Sequence, residues 1–547
     1  MKGALKRHVL PSLLASAMAL SVGTGSVGSR AVHAAGRPAV DVSGPAGADD
    51  PLLFPKDAFT VETKAVKTSR GDKKVTYRSY RHIPYVARPV DKDYESLDVN
   101  VPIQVDGVAV DASKAPILFT VPVGGYMSAS NAGRRAGGGR MGGPPAGGPP
   151  PGEPDRGGRM GPPEGVRGMG GPGMGGPGGG GNTSHNTDLA LSAGYVVVTP
   201  GARGRDNKAA DGTLYGKAPA AIVDLKAAVR YVRHNAGVMP GNVNWIVTTG
   251  VSAGGALSAL VGASGSSPLF AAYFKEIGAA DADDAVFASA DFCPIMDLDH
   301  ADMAYEWMYG AVPTRSGTVE NQELSKQLKA AFAAYQASLK LQGRDGFGPI
   351  TADNYDQYLL QIYLFPAATK YLRGLTEEKR QEYLVGNKWI TWSDKGATFT
   401  FTDYLAHVGR MKRLPAFDDF EMKQAEPNEF GNKTTDSRHF TNFSLQHATG
   451  NPSATIDSDL QTVVNLMNPM YFIGLNNPGM AGHWWIRMGT SDAHTSLTVV
   501  ANLATSLENR KKDVNASLYW DAGHGADEDA EDFIEWIGKI TGFSGGR

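Results

Sequence analysis

The chain has 547 residues, 41% of them hydrophobic, and a formal charge of −3 from 53 basic and 56 acidic side chains. That length and apolar content are enough for a large packed core and exclude disorder throughout. The near balance of charge excludes the strong field that would draw a protein to nucleic acid or anionic lipid, and points to a small, weakly charged partner.

Lys2, Lys6 and Arg7, an apolar stretch over 9–22 and the small-residue site Val32-His33-Ala34 follow one another in the order of a secretory signal peptide. Cleavage is expected after Ala34, giving residues 1–34 as signal and a secreted or periplasmic mature chain. The apolar stretch is about 14 residues long and contains Pro11, whereas a spanning helix needs about 20 apolar residues. Residues 35–60 read as a polar leader. Strands are expected over 75–83, 97–103 and 117–121, the last apolar on both faces like a buried parallel strand and running into the turn residues Gly124-Gly125.

From 131 to 182 the composition collapses to Gly, Pro, Arg and Met, which cannot bury enough apolar surface to offset chain entropy. This stretch reads as a disordered surface insertion, or as an arm that contacts a surface or polymer. Order returns with a strand over 195–199, a helix over 219–234, a strand over 245–249, a helix over 253–261 and a strand over 286–295. Cys293, the single cysteine, lies in that last strand; it has no intrachain disulfide partner and reads as a small buried hydrophobe. Residues 297–465 carry helical patterns and many aromatics but no sheet rhythm, and read as an inserted lid. A strand over 485–488, a helix over 497–507, a strand over 516–519 and a helix over 529–540 then resume the earlier alternation. The chain thus divides into a core of 61–296 interrupted by the 131–182 insertion, a lid of 297–465, and a second part of the core over 466–547. The fold class is α/β, a mostly parallel central sheet with helices on both faces.

Gly250-Val251-Ser252-Ala253-Gly254 sits between an expected strand and an expected helix. A strand that turns that sharply admits only small flanking residues and exposes the serine hydroxyl at the sheet edge, as in the α/β-hydrolase fold. In that fold the acid and then the histidine follow in the chain. His524, in the glycine-flanked loop after the last strand, is the expected base. Asp492, on the loop after the preceding strand, is the expected acid. Asp521 and Asp527 read as solvated or helix-terminal charges. Oxyanion donors are expected from the backbone of Ala253 and of Gly125 or Gly124. The 12 histidines show no paired helical spacing with a carboxylate, so no metal site is read, and the chemistry needs no cofactor.

Together these motifs resemble one family, the bacterial tannases of the non-fungal subtype and the feruloyl and aryl esterases related to them. The resemblance covers about residues 76–542 apart from the insertion. It is carried by Tyr85-Val86-Ala87-Arg88-Pro89-Val90-Asp91, Gly216-Lys217-Ala218-Pro219, Gly250 to Gly255, Cys293-Pro294-Ile295-Met296-Asp297-Leu298, Ile486 to Ser496 and Ala522-Gly523-His524-Gly525. It implies an α/β-hydrolase with a Ser252, Asp492, His524 triad that hydrolyses galloyl esters, and a lysine, a glutamate and an aspartate that grip the phenolic hydroxyls. Lys412 and Glu426 match the first two; read alone, both are ordinary surface charges. At the aspartate position stands His494, a departure that opens feruloyl, protocatechuoyl or other aryl esters beside galloyl ones. The paired-cysteine link of the fungal type cannot exist with one cysteine. Two other readings stay open: a serine hydrolase acting on a peptide bond or an acyl polymer, and a non-catalytic surface-binding protein, against which the intact triad argues.

Overall fold

The apolar runs of the sequence pair into one ten-stranded sheet. The computed structural model describes residues 50–132, 181–314 and 316–545. The expected signal peptide, most of the leader and nearly all of the 131–182 insertion lie outside the described residues. The strands are β1 (Thr60–Val66), β2 (Lys73–Pro84), β3 (Ser96–Val105), β4 (Val108–Ala109), β5 (Ile117–Val121), β6 (Val196–Pro200), β7 (Ile246–Val251), β8 (Ala288–Phe292), β9 (His483–Gly489) and β10 (Asp513–Tyr519). Their order is β1-β2-β3-β6-β5-β7-β8-β9-β10, with β4 beside β3. Pairing is antiparallel from β1 to the β3/β6 junction and parallel from β6 to β10.

Side chains of a strand alternate between faces, so each parallel strand feeds two cores. Ile117, Phe119 and Val121 face one core, with helices α2 (Ala220–His234) and α3 (Ala253–Ala263); Leu118 faces the other, with α1 (Gly181–Ser192). The expected elements are found within a few residues. Missed were β1, whose exposed edge alternation is weak, and α1, whose first turns are polar. The leader also ends earlier than expected: Leu52 and Phe54 are buried, the Phe54 ring lies tilted against Tyr80 with centroids 4.7 Å apart, and its N–H donates to Asn235 at 2.6 Å.

Between β8 and β9 the chain leaves the sheet for an inserted, mainly helical region with two short hairpins. It includes α4 (Leu298–Tyr309), α5 (Gln322–Leu339), α6 (Phe401–Val408) and the short α7 (Ala425–Glu429). The chain returns through β9, α8 (Leu497–Asn509), β10 and α9 (Ala530–Thr541), which packs on the α1 face. No helix among the described residues is long and apolar enough to cross a membrane.

The entry and exit of the insertion are clasped together. Asp297, buried and in the left-handed region at φ 55°, accepts hydrogen bonds from His300 at 2.8 Å, Asn468 at 2.7 Å and Tyr335 at 2.6 Å. Asn468 also donates to Asp299 at 2.8 Å, and His300 stacks on Tyr335 at 3.7 Å. Burial works to lower the pKa of His300, but Asp297 and Asp299 outweigh it and hold the imidazolium well above the ordinary 6.5. For Asp297, burial pushes upward while His300 pulls down, and the net effect is downward. A raised histidine gives stability that is full below its unfolded value and is lost as pH rises through the folded one. A lowered aspartate loses its contribution on the acid side. Thermal unfolding should therefore show wild type losing more stability than His300→Gln as pH rises above the ordinary histidine value of 6.5 into the alkaline range.

Candidate active site

Five parallel strands end side by side, and the loops after their carboxyl ends carry the residues singled out in the sequence. Ser252 follows β7 directly, in a backbone conformation of φ 61°, ψ −124° that few L-residues adopt. Close backbone contact holds it there. A Cβ on Gly250 would collide with the Gly254 carbonyl, and one on Gly254 would lie 2.6 Å from the Val121 carbonyl oxygen, so glycine is required at both positions. The Ala253 N–H opens α3, where the first-turn donors lack intrahelical acceptors and the helix dipole favours negative charge.

The Gly124-Gly125 loop leaves β5 beside this turn. Gly125 and Tyr126 both have positive φ, and the Gly124 carbonyl accepts the Met127 N–H at 3.0 Å. Arg205 donates to the Gly125 carbonyl at 2.8 Å, which fixes the peptide. The buried Tyr126 donates to the Ile295 carbonyl at 2.8 Å, and Ile295 N–H donates to the Ser252 carbonyl at 3.2 Å. The loop and the serine turn are therefore joined through one residue.

Asp492 is 1% exposed, and its Oδ2 lies 2.7 Å from Nδ1 of His524, whose side chain is 23% exposed. Its Oδ1 accepts the His494 N–H at 3.0 Å. The two loops are zipped by backbone bonds: Thr490 N–H to the Tyr519 carbonyl at 2.9 Å, and Ser491 N–H to the Ala522 carbonyl at 3.0 Å. The His494 ring stacks on His524 with centroids 4.2 Å apart and planes at 29°.

Three groups around this pair make contacts that the sequence does not show. Cys293 is buried but is more than core filling: its Sγ accepts the Gly525 N–H at 3.3 Å and clusters with the Asp492 and His524 atoms within 4.8 Å. Burial, with the Asp492 charge, pushes the thiol pKa far up, so it stays protonated. Asp521 is not a solvated charge: His407 on α6 lies 2.7 Å from it and Tyr383 donates to it, which ties the lid to the histidine loop. Burial raises its pKa and these bonds lower it further, for a net fall. Asp527 is likewise held, by Asn186 at 2.8 Å, and burial brings it to about 7.

Lys412 and Glu426 are not the surface charges that sequence alone suggests. Glu426 is 7% exposed, and the Lys412 ammonium lies 3.5 Å from the Phe417 ring centroid. Burial lowers the Lys412 pKa against the pull of Glu426, Asp302 and Asp492. Asp297, Asp299 and His300 form a second cluster with metal-ligand spacing, but the hydrogen bonds of the clasp already use those atoms.

A serine on a strained strand–helix turn, a carboxylate–histidine pair at the same sheet edge and an inserted helical region define an α/β-hydrolase of the carboxylic ester hydrolase class. The BD-FAE family model matches residues 180–337. Esterase LipQ of Mycobacterium tuberculosis is 38% identical over 90 residues, 16% of this chain and 20% of that protein, so the chain spans about a fifth of this curated relative. Much fuller is the similarity to the crystal structure of Fusobacterium nucleatum tannase, at 33% identity and TM-score 0.72, covering 90% of this chain and all of that one. A tannin acyl hydrolase solved with 3,4-dihydroxybenzoate and with ethyl gallate matches at 31% identity, with TM-scores of 0.72 and 0.71 and coverage of 90% and 99%. The chain belongs to the bacterial tannase family.

Gly489 offers a direct check on the zipped loops, since a Cβ there would collide with the Ala522 carbonyl. Gly489→Ala should lower stability by about 1–3 kcal/mol in urea unfolding and reduce ester hydrolysis together with it.

Proposed function

We propose that Ser252 is the nucleophile, His524 the base and Asp492 its orienting carboxylate in hydrolysis of aromatic phenolic esters through an acyl-enzyme. The observation that carries this is the 2.7 Å contact between Asp492 Oδ2 and His524 Nδ1 at the sheet edge that carries the half-buried Ser252. His524 takes the Ser252 proton as Oγ attacks the ester carbonyl, and Asp492 holds the tautomer and the imidazolium. Ala253 N–H, with a donor from Gly125 or Gly124, stabilises the oxyanion. The alcohol leaves with the proton from His524, and water repeats the sequence to release the aromatic acid. Ser252→Ala should lower kcat by about four to six powers of ten with the fold intact by circular dichroism. Residual turnover near wild type would refute the assignment.

For the acyl group, Lys412 as donor and Glu426 as acceptor serve two adjacent phenolic hydroxyls. Relatives solved with ethyl gallate and 3,4-dihydroxybenzoate support a phenolic ring in this pocket. His494 supplies an imidazole stacked on His524 where a second carboxylate would accept the third hydroxyl of a galloyl ring. The substrate this favours is a dihydroxybenzoyl ester, with galloyl esters accepted. In a panel of methyl protocatechuate, methyl gallate, methyl ferulate and p-nitrophenyl butyrate, kcat/KM should be highest for protocatechuate. His494→Asp should move the preference toward gallate by about tenfold. A ferulate or butyrate optimum would keep the triad and replace the acyl assignment with that of a feruloyl or general aryl esterase.

The N-terminal pattern supports action outside the cytoplasmic membrane after removal of residues 1–34. N-terminal sequencing of exported protein should begin at Ala35; a product that keeps Met1 would refute processing.

A further inference from the structure

One face of α4 grips the loop that carries Lys412. Asp302, Tyr305, Glu306 and Tyr309 recur at the i, i+3, i+4, i+7 spacing that places side chains on one helical stripe, and all four are buried. Asp302 accepts the Phe417 N–H at 2.7 Å and the Asp418 N–H at 3.1 Å. Glu306 pairs with Arg410 inside the protein; Arg410 donates to the Lys412 carbonyl at 2.7 Å and to the Tyr309 carbonyl at 3.3 Å. The Tyr305 hydroxyl accepts the N–H groups of Lys412 at 2.9 Å and Met411 at 3.2 Å. Its own proton goes to the Ala493 carbonyl at 3.0 Å, between Asp492 and His494.

Of these four, Tyr305 alone touches both the lysine loop and the acid loop. We infer that Tyr305 is a positioning residue for acyl-group selection, its hydroxyl setting Lys412 in register with Asp492 and His524. The inference rests on the reading of Lys412 as the hydroxyl-binding lysine. The Lys412 peptide is fixed from both sides, by Tyr305 on its N–H and Arg410 on its carbonyl. The ammonium is therefore presented from a rigid backbone, at a distance from the reacting carbonyl that Tyr305 controls. A misplacement of about 1 Å is enough to cost a large factor in a positioned contact.

The test compares wild type, Tyr305→Phe and Lys412→Met on methyl protocatechuate, methyl 3,4-dimethoxybenzoate and p-nitrophenyl butyrate. Tyr305→Phe should raise KM for protocatechuate about tenfold or more and collapse its preference over the dimethoxy ester, while butyrate turnover stays within about twofold. Equal losses on all three esters would mean a merely structural tyrosine and overturn the inference. So would an unchanged preference. Lys412→Met separates the two ideas. If it leaves the hydroxyl preference intact, the Lys412 reading falls and this inference with it. If it abolishes the preference and Tyr305→Phe does not, only the inference falls. Should Tyr305→Phe fail to fold, 4-aminophenylalanine at 305 retains the ring and a donor for Ala493 while accepting poorly from Lys412. It should reproduce the loss of preference with butyrate turnover retained, and a retained preference would overturn the inference.

Discussion

Three backbones converge at Ser252 at distances only glycine allows: the end of β7, the first turn of α3 and the loop leaving β5. The glycines at 250 and 254 exist because a side chain at either would strike a carbonyl. That contact fixes the strained serine, the orientation of the Ala253 N–H and the position of the Gly124-Gly125 loop together. The acid and histidine loops then follow from strand order, since β9 and β10 are the next parallel neighbours beyond β8. The Gly489–Ala522 approach is a second contact of the same kind. The geometry of the candidate site is mainly a matter of how closely main chains pack, with side-chain hydrogen bonds added on top.

The inserted region works by a different principle, enclosing ionisable groups together with polar partners. Arg410 with Glu306, Asp302 with two backbone N–H groups, and Asp418 with His439, Thr441 and Phe440 are all enclosed. An enclosed charge that loses its partner is costly, on the order of 3–5 kcal/mol. Such groups hold a loop in one position more firmly than apolar packing does, because apolar side chains repack with little penalty. A region with little regular sheet can in this way present Lys412 and Glu426 from irregular backbone.

The core was legible because apolar alternation and the Gly-x-Ser-x-Gly turn are local signals: β5, β7, β8, β9, β10 and the helices between them fell within a few residues of their expected bounds. The placement of Ser252, Asp492 and His524 on loops at one sheet edge was legible for the same reason, each following a readable strand. What escaped depended on contacts distant in the chain. Asp521 reads as solvated until α6 brings His407 to it, and Cys293 reads as inert until the Gly525 N–H and Asp492 close around it. Lys412 and Glu426 had no local mark of burial and rested on family resemblance. A faint signal did exist for the grip on Lys412, the polar stripe Asp302, Tyr305, Glu306, Tyr309 along one face of α4.

The clasp between Asp297 and Asn468 bears on how the chain acquires its fold. β8 and β9 are neighbours in the sheet but stand on either side of the whole insertion, so during synthesis β8 waits with one edge unpaired until β9 emerges. Closing so long a loop costs entropy that no local contact recovers. A polar knot that brings the ends of the insertion together shortens the effective loop to residues 293–296 on one side and 469–482 on the other. With those ends held together, β9 lies close to the open edge of β8, an edge that left unpaired would be free to recruit another nascent chain.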